Sequence, residues 1–128
     1  MRKAILIMIL AIVSSNAAAE WVGVSYSGNF TVYADPTTIR RAGNMVKMSI
    51  LVDLKKAEYH GLMPFMSMIG KDEFDCKEDQ SRRLASSLYS GKMGEGAVVS
   101  SSSDPINWEP VPPRTSVEAL WKFACGKR

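Results

Sequence analysis

The chain has 128 residues and a formal net charge of +3, which leaves room for one domain with one modest hydrophobic core. Its basic residues come as scattered pairs (Arg40-Arg41, Lys55-Lys56, Arg82-Arg83), with acids close to the last two and no interleaved aromatics. That pattern argues against a nucleic-acid partner, and a single histidine with two cysteines leaves little for a metal centre.

The N-terminus reads Met1-Arg2-Lys3, then runs apolar from Ala4 to Val13, then small and polar to Ala19. A basic start, an apolar middle and small residues before the cut predict a secretory signal peptide over 1–19. A single domain over 20–128 follows, with its formal charge reduced to +1 by the loss of Arg2 and Lys3. The apolar run is shorter than the roughly 20 residues a membrane helix needs, so no membrane span is expected after cleavage. No cysteine ends the run, which speaks against a lipoprotein anchor.

Trp21 to Tyr26 and Phe30 to Ala34 read as two short strands joined by a Ser27-Gly28-Asn29 turn. Asn29-Phe30-Thr31 forms a glycosylation sequon by pattern alone. Asp35-Pro36 has the form of an N-cap with proline at the first helical position, predicting one helical turn through Ile39. After a Gly43-Asn44 turn, Met45 to Leu54 is the clearest strand. Val46, Met48, Ile50, Val52 and Leu54 form one face, expected toward the core. Lys55-Lys56-Ala57-Glu58 is expected to end it in solvent.

Leu62 to Ile69 (Leu-Met-Pro-Phe-Met-Ser-Met-Ile) holds three methionines and a proline. Proline points to a strand edge or an irregular start. Methionine suits irregular core gaps and also adaptable binding surfaces. Gly70 to Lys77 reads as a strand with Phe74 and Cys76 inward and Lys71, Glu73, Asp75 and Lys77 outward. A polar turn at Glu78-Asp79-Gln80 leads to a strand over Ser81 to Ser90. Gly91, Gly94 and Gly96 then mark a tight hairpin turn before Ala97 to Ser101. Ser100 to Pro113, with four serines, Trp108 and prolines, reads as an extended crossing pinned to the core by Trp108.

The chain closes on a helix. Val117, Leu120, Trp121, Ala124 and Cys125 lie on one helical face. Thr115 with Glu118 fits a capping box, and Gly126 fits the residue after the helix. The helix stripe is expected on the sheet, touching Val52, Phe74 and Leu84. In an exported domain Cys76 and Cys125 most simply pair, closing a loop of about 50 residues and clamping helix to sheet. Redox dithiols usually sit two residues apart, which these do not. The fold class is therefore α+β, a twisted antiparallel sheet of about six strands with a C-terminal helix on one face, tethered by a disulfide.

Catalytic chemistry finds little footing. His60 is the only histidine and no Gly-x-Ser-x-Gly precedes a helix. Gly91-Lys92-Met93-Gly94-Glu95-Gly96 lacks the P-loop spacing. Glu73 with Asp75, and Glu78 with Asp79, read as solvated carboxylates, and nothing would activate the serines. No enzyme, no metal site and no cofactor is expected.

Several stretches nevertheless form an ordered set. These are Leu51-Val52-Asp53 with Lys55-Lys56, Phe74-Asp75-Cys76-Lys77, Tyr89-Ser90-Gly91 with Met93-Gly94, and Val98-Val99 to Ser103. They continue with Trp108, Pro110 to Pro113, and Glu118-Ala119-Leu120 to Cys125. The set resembles the bacterial surface-adhesin protein E family and covers most of the mature chain. The resemblance implies one antiparallel sheet with a C-terminal helix joined to it by a Cys76–Cys125 disulfide. It also implies a protein partner from the host matrix or serum, and it allows a homodimer. In the family, host-ligand binding is associated with a basic segment running into the sheet cysteine. Here Gly61 to Cys76 is apolar and then acidic, with Lys71 its only basic residue.

The expected function is thus an exported, non-enzymatic, adhesin-like binding protein, periplasmic or secreted, with surface association open to it. The alternative is a periplasmic accessory protein for a bacterial partner or a small apolar ligand. The expected partner surface comprises Leu62, Met63, Phe65, Met66, Met68 and Lys71.

Overall fold

A computed structural model describes residues 19–127. The expected signal segment, up to residue 18, lies outside the described residues. Six strands follow one another across a single sheet in chain order, each antiparallel to the next. They are β1 (Val22–Tyr26), β2 (Phe30–Ala42), β3 (Met45–His60), β4 (Met63–Asp75), β5 (Gln80–Tyr89) and β6 (Val98–Ser102). A two-residue strand, β7 (Glu109–Pro110), pairs with the start of β5. The one α-helix among the described residues, α1, spans Ser116–Cys125 and packs on the sheet. Short turns enforce this meander, because two antiparallel strands can be joined by two residues. Gly43 (φ 62°) and Gly61 (φ 63°) take the left-handed conformation that two of those turns require.

Two signals were sound but were absorbed differently. Asp35-Pro36 does not start a helical turn. Thr37 donates its amide and hydroxyl to Asp35 Oδ1 (3.0 and 2.6 Å), and Thr38 Oγ1 accepts from Ser49 N–H at 2.8 Å. The pairing jumps from Asp35–Ser49 to Arg40–Lys47, so the turn is a bulge inside a strand that continues to Ala42. Pairing with β3 on both sides of the bulge outweighs the local helical preference. Likewise β3 does not end at Leu54. It bulges between Asp53 and Glu58, where Lys55 N–H bonds Asn29 O at 2.9 Å, and resumes to His60.

The helix-side core is Val32, Ala34, Val46, Met48, Ile50 and Phe74 beneath Leu120, Trp121 and Ala124, with Val52 and Met68 at its margin. Leu84 does not join it. The helix packs chiefly on β1 and β2 and less on β3 and β4, and Cys125 ties its last turn to Cys76, just past the end of β4. Trp108 is half-buried and stacks on the Arg82 guanidinium, 4.8 Å from carbon to ring centre, rather than entering the core. The crossing is held instead by backbone bonds, Ile106 N–H to Arg83 O and Val111 N–H to Asp79 O, both 3.0 Å.

Glu73 and Asp75 were expected in solvent, yet both are buried, as is Asp72. Each is satisfied. Arg82 Nε bonds Glu73 at 2.9 Å, and Arg83 grips Asp72 through Nε and Nη2 at 2.9 and 3.2 Å. Asp75 Oδ1 accepts the amides of Lys77 and Glu78 at 3.0 Å, which shapes the turn into β5. Buried carboxylates persist where such donors meet them.

At its N-terminus α1 is capped by Thr115 Oγ1, which accepts Glu118 N–H at 3.2 Å. The Glu118 carboxylate reaches back to Arg114 N–H (3.0 Å), one residue earlier than a standard capping box. Gly126 closes the other end at φ 70°. Beside the Cys76–Cys125 disulfide, Trp121 Nε1–H donates to the Asp75 carbonyl at 3.0 Å. The closed loop of 49 residues makes the cross-link worth roughly 4 kcal/mol by loop entropy, less any native strain. Cys125→Ser should therefore lower unfolding free energy by about 2–4 kcal/mol in a urea titration. A Cys76→Ser/Cys125→Ser double variant that unfolds at the wild-type midpoint would contradict this clamp.

Candidate functional site

The sheet face opposite α1 is not open to solvent over its middle. The chain leaving β5 folds across it as a short 3-10 turn, Lys92–Gly94, instead of making a tight hairpin. Ser67, fully buried, is the pivot. Its hydroxyl donates to Gly91 O at 2.6 Å and accepts Gly94 N–H at 2.8 Å. Asp53 Oδ1 accepts Met93 N–H at 2.7 Å, and Asp53 Oδ2 pairs with Lys92 Nζ at 3.3 Å. A Cβ on Gly94 would stand 2.5 Å from Ile69 Cδ1, so only glycine lets the loop lie this close. Leu51, on the face expected to be wet, is fully buried. Ser67→Ala removes one partner from each of two part-buried backbone groups and should cost about 1–3 kcal/mol. Hydrogen exchange should quicken at Met93 and Gly94, and unchanged protection there would remove Ser67 from this role.

The α1 face is exposed where the helix cover ends. β5 stops at Tyr89, opposite Ser67, while β4 begins four residues earlier, at Met63. β3 and β4 therefore continue past their neighbour as a two-stranded arm with Gly61-Leu62 at its tip. The arm's apolar side chains face water: Leu62 is 95% exposed, Tyr59 66% and Met63 56%. At its base lies a hollow of about 260 Å³ walled by Val52, Leu54, Phe65, Met68 and Leu88, with Glu58 and Arg83 on its rim. Arg83 is engaged by Asp72 and also approaches Met68 Sδ at 3.4 Å. Next to it, sharing Glu58, a second hollow of about 260 Å³ is formed by Gly28–Phe30 and Lys55–Glu58.

The expected partner surface divides between these features. Leu62 and Met63 stand at the arm tip. Phe65 and Met68 meet in the apolar hollow, and Met66 is half-buried between them in sequence. Lys71 lies apart, in a serine-lined groove of about 410 Å³ that also takes in Ser49, Ile69 and Ser101–Ser103. The Met-rich stretch is not an edge throughout, since from Ser67 onward β4 is paired on both sides. Leu54 is expected on the core face of its strand, and Leu88 falls within the strand expected over Ser81 to Ser90. Their part in the hollow depends on where the helix stops, which strand periodicity does not encode. The Lys55-Lys56 pair carries a visible signal, two adjacent cations after an apolar strand, which the sequence reading does not assign to the partner surface.

Among the described residues no cluster of three or more His, Cys, Asp or Glu is arranged to hold a metal ion. None of the described helices is long and apolar enough to cross a membrane.

The sheet, helix and disulfide can be set beside known proteins. The family model for Surface-adhesin protein E matches residues 21–126. The chain belongs to the surface-adhesin protein E family. Its members are grouped as adhesins, not as enzymes. Solved structures of Haemophilus influenzae protein E share the fold. One crystal form superposes with a TM-score of 0.63 at 14% identity, over 86% of this chain and 97% of that one. Another gives 0.66 at 14% identity over 88% of each chain. Protein E from a non-typeable strain gives 0.63 at 14% identity over 88% of this chain and 79% of that one. Identity this low carries the fold alone. No curated protein sequence matches the chain.

Proposed function

We propose that this surface-adhesin protein E family member is exported and works without catalysis, binding a protein partner outside the cytoplasm through the β3–β4 arm and the hollow at its base. The partner class is a host matrix or serum protein. The observation that carries this reading is the arm itself. A small domain that hides Leu51 and Ser67 under a dedicated loop leaves Tyr59, Leu62 and Met63 in water at one projecting end. Exposed apolar clusters of this kind mark interaction sites, and aromatic and methionine side chains are enriched in them.

The alternative occupant, a free apolar ligand, is disfavoured by size. The hollow holds about 260 Å³, below the roughly 300–1,000 Å³ of sites that enclose a small molecule. One bulky side chain from a partner is the better match, with the arm supplying the surrounding contact.

The test is titration of the mature domain against immobilised matrix glycoproteins and serum proteins. Saturable binding at micromolar protein is expected for at least one. Leu62→Asp with Met63→Asp should weaken it about tenfold or more, or about 1.4 kcal/mol. Stability should stay within about 0.5 kcal/mol, as expected for exposed positions. No saturable binding to any of them, or binding indifferent to the two substitutions, would defeat the proposal. Osmotic-shock fractionation with external protease then separates periplasmic from surface-exposed protein.

A further inference from the structure

The two hollows beside the arm lie on one face of the sheet. Val52 and Met68 line the first, Phe30 lines the second, and all three border the same helix-side core. They share Glu58 at their border and together form a trough from the β1–β2 turn to β5. Its two ends differ chemically. One end is apolar, and the only cation on its rim, Arg83, is already engaged by Asp72. The other end carries Lys55 and Lys56, both exposed, and among the described residues neither takes part in an ion pair. Glu58 offsets one of those two charges, so that end keeps a net positive charge.

We infer that this trough receives an extended segment of the protein partner, with a bulky apolar side chain in the β4–β5 hollow and a carboxylate a few residues away on Lys55 and Lys56. This rests on the reading of the arm as a partner site and specifies the partner's chemistry. The apolar hollow has room for one side chain, and burying a large one contributes about 1.5–3 kcal/mol. The lysine end adds orientation and salt dependence more than affinity, because both ammonium groups stay hydrated. Glu58, between the two ends, disfavours a carboxylate directly beside the anchor and so sets a spacing of several residues.

The probes are two synthetic nonapeptides, one with a tryptophan three residues from a pair of aspartates, the other with lysines in place of the aspartates. Each is titrated into the ¹⁵N-labelled mature domain, with free indole as a third probe. The acidic peptide should shift the amides of Lys55, Lys56, Glu58, Phe65, Met68 and Leu88. It should bind about tenfold more tightly than the basic peptide, with the gap closing as salt rises. Lys55→Glu/Lys56→Glu should abolish that preference, and Leu88→Lys should remove binding of both peptides. Each variant is first checked for an unchanged melting temperature, and Leu88→Ala replaces Leu88→Lys if that one does not fold.

Equal affinity for the two peptides overturns the inference. So does indole binding that is as strong as the acidic peptide's and unaffected by the lysine substitutions, or shifts confined to the serine groove or β6. A matrix protein whose binding survives Lys55→Glu/Lys56→Glu and Leu88→Lys leaves the adhesive function standing and removes this trough from it. Peptide binding here with no matrix protein bound would leave the trough standing and remove the adhesive reading.

Discussion

The end of β4 is the point on which the molecule depends. Within two residues, Asp75 takes the Trp121 indole N–H on its carbonyl and two turn amides on its carboxylate, and Cys76 carries the disulfide to Cys125. A ten-residue helix is too short to be stable alone in water. Its caps contribute about 1 kcal/mol each, so tertiary anchoring must supply the rest. The helix's C-terminus is held just past β4 while its body lies mostly over β1 and β2, and Leu120, Trp121 and Ala124 pack on the core beneath.

What the helix leaves uncovered becomes the molecule's surface chemistry. Val52, Leu54, Met68 and Leu88 line a hollow beside the helix-side core, where the helix residues Leu120, Trp121 and Ala124 are not among the lining. The opposite face is treated differently. There the β5–β6 connection is latched down by Ser67, Asp53 and Lys92, and the apolar Leu51 is sealed. One face closed by a loop and the other left open past the helix gives the domain a single projecting end. In this surface-adhesin protein E family member the apolar end thus stays open through incomplete cover of the sheet.

The charged residues divide along the same line. Asp72, Glu73 and Asp75 are buried and matched by Arg83, Arg82 and backbone amides, and serve the architecture. Lys55 and Lys56 sit on a bulge that lifts them from the ladder, at the edge of the open end. Strand alternation places Glu73 and Asp75 outward, and the end of an apolar run places Lys55 and Lys56 in solvent. For the acids this failed because arginines on the neighbouring strand supply donors in register, opposite Asp72 and Glu73.

The sequence by itself determined the element order, the antiparallel meander, the final helix with both caps, the cysteine pair and the family. These are legible because strand alternation, turn glycines, capping side chains and helical periodicity are local patterns. It also marked Leu62 to Met68 as a surface to consider. Only the tertiary structure decided that Asp35-Pro36 is a bulge rather than a turn of helix, and that β3 runs on to His60. It alone showed that the glycine-rich loop seals a face and that Lys71 lies apart from Phe65 and Met68. Each of those outcomes depends on which strand lies beside which and on how far the helix reaches. These are relations between residues distant in the chain, and no local pattern carries them.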